Sequence, residues 1–335
     1  MAADRETIRT WVRAGSAQVA ATHAGWRLDR YLAQRFTYRS RTQWGRLVRE
    51  GRITVDGRRV RPSHALRCGA RIDYVPLQRA EPPIDGAYAL LHEDAHLIAV
   101  SKSGNVPIHP SGRYFRHTLL HRLLAEHPEW ERLHVVHRLD RETSGVVLFG
   151  RDRETTARLA CEFRERRVLK RYLALVAGQP AEEHFEIDLP LGPARESLIR
   201  KAVGVRPDGL AARTRVRVLH RGADWAWLEA QPETGRLHQI RVHLRAVGLP
   251  IMGDKVYGHS ERFFLKFIED EPLSAAEQQL LALPRQALHA YQIRIRHPWT
   301  AAPLAVTAPL PPDLAAALAE RGLDPRQACP RPIVD

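Results

Sequence analysis

The residues His137-Arg138-Leu139-Asp140-Arg141-Glu142-Thr143-Ser144-Gly145 run directly into the apolar stretch Val146-Val147-Leu148-Phe149. A polar loop that ends in a buried strand holds its side chains rigidly at the edge of a core, where a carboxylate can face a cleft. Around it lie further strand-like runs, Leu97 to Val100, Tyr172 to Val176 and Thr214 to Leu219, and a stretch of helical spacing from Arg153 to Arg166. Strands and helices do not alternate strictly. That favours an α+β fold, a mixed β-sheet with flanking helices, over a doubly wound one. No GxGxxG, P-loop or GxSxG is present. Read alone, Asp140 is a turn or cap residue paired with Arg138 or Arg141, since carboxylates at such positions are often structural.

The chain has 335 residues, 44% hydrophobic and 27% charged, enough for a real core shared between two domains, one of them small. The longest uninterrupted apolar runs, Tyr172 to Ala177 and Leu314 to Ala319, reach six residues, which excludes a membrane-spanning helix. The first residues, with Asp4, Arg5, Glu6, Arg9 and Arg13, lack the apolar core of a secretory signal. Cys68, Cys161 and Cys329 are too widely spaced for a disulfide framework or a paired metal knuckle. The expected setting is a reducing cytoplasm.

The formal net charge of +14 is unevenly spread. Residues 26–75 hold 13 arginines, no lysine and four acids, a net +9. The whole chain has only five lysines, so coding bias accounts for arginine over lysine but not for the shortage of acids here. A compact basic module of this kind is the footprint of a polyanion binder. Leu28, Tyr31, Leu32 and Phe36 fall at helical spacing, and Ser40 can cap a second helix whose inner face is Trp44, Leu47 and Val48. Gly51 suits the left-handed position that ends it. Ile53 to Val60 reads as a hairpin turning at Asp56-Gly57, and Ile72 to Val75 as a closing strand. The Arg27-Leu28-Asp29-Arg30-Tyr31-Leu32 opening and the Gly51 to Arg58 hairpin resemble the small RNA-binding domain named after a ribosomal small-subunit protein, the αL motif. The resemblance implies phosphate contacts from Arg39, Arg41, Arg46 and Arg49, with Arg52, Arg58 and Arg59 beside them.

The chain is accordingly divided into a mobile tail (1–25), the αL-type module (26–76), a linker holding Pro82 and Pro83 (77–87), a larger domain (88–310), and a C-terminal helix with a Pro-rich tail (311–335). Residues 259–283 form a charged, insertion-like stretch without an assigned role.

Three clusters join the opening loop: Lys170-Arg171-Tyr172 at a strand start, the donor-rich run Gly235 to Leu244, and the tight loop Pro250 to Gly258. With the His-Arg-Leu-Asp-x-x-Thr-Ser-Gly signature, Arg285 to Ala290 and His297-Pro298, they resemble the RluA-type pseudouridine synthases from about Leu90 to Pro298. The resemblance implies Asp140 as the catalytic aspartate and Tyr172 as the ring that stacks on the target uracil and serves in proton removal. It implies Arg241 as the partner of the carboxylate, and Arg138 as the residue filling the gap left by the extruded base. His137, Thr143, Gly145 and His243 are read as structural. Leu237, Ser103 and Leu249 depart from the family's usual threonine, proline and histidine without touching this chemistry.

Isomerising uridine breaks a carbon–nitrogen bond and rejoins the base through carbon, with nothing oxidised and no group donated, so no cofactor and no metal are expected. A carboxylate serves either as nucleophile or as base on a glycal route. The expected partner is RNA, ribosomal RNA of the large subunit first and transfer RNA second, with no membrane and no obligate protein partner. Two other readings stand beside it. One is a non-catalytic RNA-binding ribosome-assembly factor. The other is a metal-dependent hydrolase, although His238 and His243 make no HExxH pair.

Overall fold

A computed structural model of the chain describes residues 15–36, 41–74, 81–111, 114–199, 201–269 and 271–333. It divides into two units, Met1–Pro82 and Pro83–Asp335.

The first unit contains β1 (Gly15–Gln18), α1 (Leu28–Arg35), α2 (Arg41–Arg49), β2 (Ile53–Val55), β3 (Arg58–Arg59) and β4 (Arg71–Tyr74). Its antiparallel sheet has the order β1-β4-β2-β3. The anticipated helical faces, Leu28, Tyr31, Leu32, Trp44, Leu47 and Val48, close a core on Ile53, Val55 and Ile72. Asp56 and Gly57 both take positive φ (49° and 73°), the pair a two-residue hairpin turn requires. Gly51 ends α2 at φ 73°, where an added Cβ would collide with the Arg59 guanidinium.

The tail reading needs correction over its last residues. Gly15 to Gln18 pair with β4, and Val19 is buried in the module's core. An edge strand held by backbone bonds leaves little mark in side-chain pattern, which is why Gly15-Ser16-Ala17-Gln18 read as irregular. Residues 1–14, Arg39 with the expected cap Ser40, Val75, and the first part of the linker to residue 80 lie outside the described residues.

The second unit runs through β5 (Tyr88–Glu93), β6 (Leu97–Lys102), α3 (Leu119–Glu126), β7 (His134–Val135), β8 (Ser144–Gly150), α4 (Arg153–Arg164), β9 (Leu169–Ala177) and β10 (His184–Asp188). It continues with β11 (Leu191–Pro193), β12 (Val203–Val205), β13 (Arg213–Arg221), β14 (Trp225–Pro232), α5 (Gln239–Ala246), α6 (Arg262–Glu269), α7 (Ala275–Leu281), β15 (Leu288–Arg296), β16 (Pro303–Thr307) and α8 (Pro312–Ala319). The main sheet has the order β10-β13-β14-β9-β15-β8-β6-β5, with β16 on β15 and β7 on β8. Neighbours are antiparallel except β15 and β8, which makes the sheet mixed as expected.

Central strands are apolar without alternation because both faces are covered. Leu173 to Val176 and Val147 to Phe149 are inaccessible, each large side chain contributing about 1.5–3 kcal/mol of burial. Part of the core lies with α5 and α8, and the rest with α3 and α4. The structure makes no division at residue 310. Leu314, Ala317, Leu318 and Ala328 share a core with Leu175 and Trp227, so the C-terminal helix belongs to the larger unit.

Candidate active site

Asp140 sits in the loop between β7 and β8, Tyr172 on the central strand β9, and Arg241 in the first turn of α5. With Arg138 they line one cavity of about 510 Å³, walled further by Phe163, Lys170, His238 and Leu288. The four residues, expected from three separate motifs, are thus brought together.

The loop's position follows from its surroundings. Gly145 has φ 113° and lies beside Ala290 of β15, where a Cβ would stand 2.1 Å from the Ala290 carbonyl oxygen. Only glycine admits this approach. His137 accepts a bond from the Leu148 amide (3.0 Å) and stacks on Phe163. Burial drives its pKa down to about 3, so it is a neutral structural imidazole. Lys102, buried, donates to the carbonyls of Ser103, Val106 and Arg141 at 2.9, 3.0 and 3.0 Å, tying β6 to the residue after Asp140. Gln286 donates to Thr143 Oγ1 at 2.6 Å. The plainer reading of Asp140, paired with Arg138 or Arg141, does not hold. Arg141 bonds Asn105, Tyr114 and Glu142 instead, and Arg138 is exposed at the cavity.

The partner of Asp140 is Arg241, whose Nη1 donates to Oδ2 at 2.7 Å. The rest of that guanidinium is held by Asp254, with Nε and Nη2 each donating at 2.7 Å. Asp254 is 1% exposed, and its Oδ1 also accepts the amides of Val256 and Tyr257 at 2.9 and 3.0 Å. Arg241 is therefore pinned in a fork between two carboxylates. Burial pushes the Asp140 carboxyl up, but the charge and hydrogen bond of Arg241, aided by His238 and Gln286, outweigh it and hold the group below its usual range. Tyr172 goes the other way. Burial, then the Asp140 charge, raises its phenol and keeps it protonated.

Sequence reasoning missed two members of this site. Asp254 stood in a loop read only as structural, and His238 entered only as a failed metal ligand. His238 adopts φ 54° at the start of α5, with Nε2 3.7 Å from Asp140 Oδ1 and Nδ1 sharing a 2.7 Å hydrogen bond with Tyr257 Oη. Burial and Arg241 lower its pKa to about 4, leaving it neutral near pH 7. The available signal for Asp254 was stoichiometric: a buried guanidinium has five donors, and one carboxylate cannot satisfy them all. His243, read as a core histidine, is one, bonded to Thr214 Oγ1 and the Leu189 carbonyl at 2.9 Å each. The stretch 259–283 contains α6 and α7, and its Phe267 ring covers the Arg141 guanidinium at 4.2 Å. Among the described residues no three His, Cys, Asp or Glu side chains converge as metal ligands, and no helix is long and apolar enough to cross a membrane.

In the first unit Arg41 shares Asp29 with Arg27, and Arg46 pairs with Glu50, which Arg52 approaches at 3.7 Å. Arg49, Arg58 and Arg59 are exposed.

Both units have counterparts among known proteins. Residues 96–246 match the RNA pseudouridylate synthase family and residues 26–72 the S4 domain. The chain is 35% identical to ribosomal large subunit pseudouridine synthase D of Nitrosomonas europaea, over 92% of this chain and 88% of that one. It is 31% identical to synthase C of Vibrio vulnificus, over 86% and 90%. Among solved structures, human RNA pseudouridylate synthase domain containing 4 matches 70% of this chain and 94% of its own, at a TM-score of 0.55 and 26% identity. A basic S4 domain precedes a mixed-sheet domain whose cleft gathers the Asp, Tyr and Arg of separate motifs, and the chain belongs to the RNA pseudouridine synthase family.

Proposed function

We propose that this enzyme isomerises uridines of large-subunit ribosomal RNA in the cytoplasm, with Asp140 as the catalytic carboxylate. The observation that carries the reading is the 2.7 Å bond from Arg241 to Asp140 inside a cavity also lined by Tyr172. An ionised carboxylate there can attack the sugar carbon, or take the neighbouring sugar proton, as the glycosidic bond breaks. The freed uracil turns on the face of Tyr172, a contact contributing about 1–3 kcal/mol. It rejoins through the ring carbon, which loses its proton while the former glycosidic nitrogen gains one. Tyr172, held neutral, removes that proton only through a relay.

Extruding the uridine costs a few kcal/mol, offset by Arg138 in the vacated stack and by phosphate contacts from the S4 domain, read here as the αL type. The named relatives act, by their names, on the large ribosomal subunit. That supports ribosomal over transfer RNA.

The test is proton release from the uracil carbon that forms the new bond, using tritiated ribosomal and transfer RNA transcripts with wild type and Asp140→Asn. Release from ribosomal RNA by the wild type alone is expected. Equal release by both proteins overturns the role of Asp140, and release only from transfer RNA overturns the substrate.

A further inference from the structure

Directly beside Tyr172 on β9, Arg171 is buried with its guanidinium engaged on several sides. Nε and Nη2 donate to the two Glu229 oxygens at 2.6 and 3.1 Å, and Nη1 to Gln292 Oε1 at 2.9 Å and the Arg331 carbonyl at 3.0 Å. Successive residues of a strand point to opposite faces, so this network lies behind the cavity into which Tyr172 projects.

Arg331 belongs to a segment, 328–333, that carries no regular secondary structure and is fastened to the sheet largely through side chains. Trp227 Nε1 donates to the Ala328 carbonyl and Tyr291 Oη to the Pro330 carbonyl, both at 2.7 Å. Gln292 exchanges two bonds with the Ile333 backbone, at 3.2 and 3.3 Å.

The fastening coincides with a weak point in the ladder. Ala290 stands opposite Tyr172 and Gln292 opposite Arg171, so Tyr291 is the extra residue of a bulge. On the other side the β14 ladder ends at Tyr172. A bulge interrupts pairing and increases local twist, so backbone bonds alone do not set the pitch of β9 here. A buried ion pair adds little net stability over an apolar pair but demands one geometry.

We propose that Arg171 is a positioning residue for Tyr172, and that segment 328–333 is the strap that completes its fixation. The proposal rests on the role given to Tyr172 above. A ring displaced by a fraction of an ångström loses its alignment with the base while RNA binding, made elsewhere, is unaffected.

The test compares wild type, Tyr172→Leu, Gln292→Met and a chain ending at Cys329. Each is assayed on a large-subunit ribosomal RNA transcript by single-turnover ring-proton release and, separately, by direct binding. Gln292→Met and the shortened chain are expected to slow release by about tenfold or more, with Kd unchanged within twofold. If the shortened chain does not melt cooperatively, Gln292→Met decides alone. Rates within twofold of wild type, or a rise in Kd matching the loss of rate, overturn the proposal. A slow Tyr172→Leu beside unaffected strap variants overturns the proposal while leaving the role of Tyr172 standing, whereas an unaffected Tyr172→Leu overturns the role of Tyr172 on which it rests.

Discussion

Asp254→Asn removes one charge from the fork around Arg241 while keeping its shape. Asparagine can leave its oxygen where Oδ1 accepts Arg241 Nη2 and the amides of Val256 and Tyr257, but its NH₂ then faces the Nε–H that Oδ2 had accepted. A donor meets a donor. A hydrogen bond to a charged group contributes about 1.5–3 kcal/mol, and stability should fall by an amount in that range rather than by the 3–5 kcal/mol of a fully broken buried pair. Arg241 becomes free to tilt, and Asp140 loses its fixed orientation. A ten- to hundredfold lower single-turnover rate follows, about 1.4–2.7 kcal/mol in the barrier. The pH profile gives a second sign. Asp254 and Asp140 are like charges on one cation, so deleting the first leaves the second better compensated, and the Asp140 carboxyl titrates no higher than before. The acid limb of the rate profile therefore stays or moves to lower pH. Proton release measured from pH 4 to 8, alongside thermal melting, checks both. A rate within twofold of wild type, or an acid limb displaced upward, refutes the reasoning.

Stability should fall on mild acidification. His137 and His289 are held neutral by burial, with pKa values of about 3 and 4, against roughly 6.5 in the unfolded chain. Between those limits the unfolded state binds more protons, so stability is full above about pH 6.5 and declines as pH falls, by up to about 1.4 kcal/mol per pH unit for each histidine. Urea unfolding at pH 7, 6 and 5 measures this, and His289→Asn should show a shallower decline; identical slopes contradict it. In the basic module, replacing the exposed Arg49, Arg58 and Arg59 together by Gln should weaken RNA binding and lower the log–log salt slope by about 2–3. An unchanged slope removes these three from the interface.

What was legible in the sequence was whatever is decided locally or over a long apolar run. Asp56-Gly57 announces its turn because few residue pairs tolerate two positive φ values. The strands at Val146 and Tyr172 announce themselves because burial on both faces leaves no room for polar alternation. Asp140, Tyr172 and Arg241 were found through motif likeness, and their meeting needed β8, β9 and α5 to converge. Asp254 was not legible because its role exists only once Arg241 is buried with donors to spare. Gly15 to Gln18 were not, because an edge strand is held by its neighbour's backbone. A local signal was overlooked at Ser274-Ala275-Ala276-Glu277, a capping box that opens α7 within the unassigned stretch.

The parallel pairing of β8 with β15 also governs when the enzyme comes into being. Ser144 and His289 are hydrogen-bonded across 145 residues of chain, and the same seam seats Gly145 against Ala290. Contacts so distant in sequence are the slowest to form, because the intervening loop must be closed before they are rewarded. During synthesis the residues that flank Asp140 lack this neighbour until β15 has left the ribosome. The basic module, complete by residue 74, can fold much earlier. The nascent chain therefore gains the means to hold RNA long before it gains the means to change it.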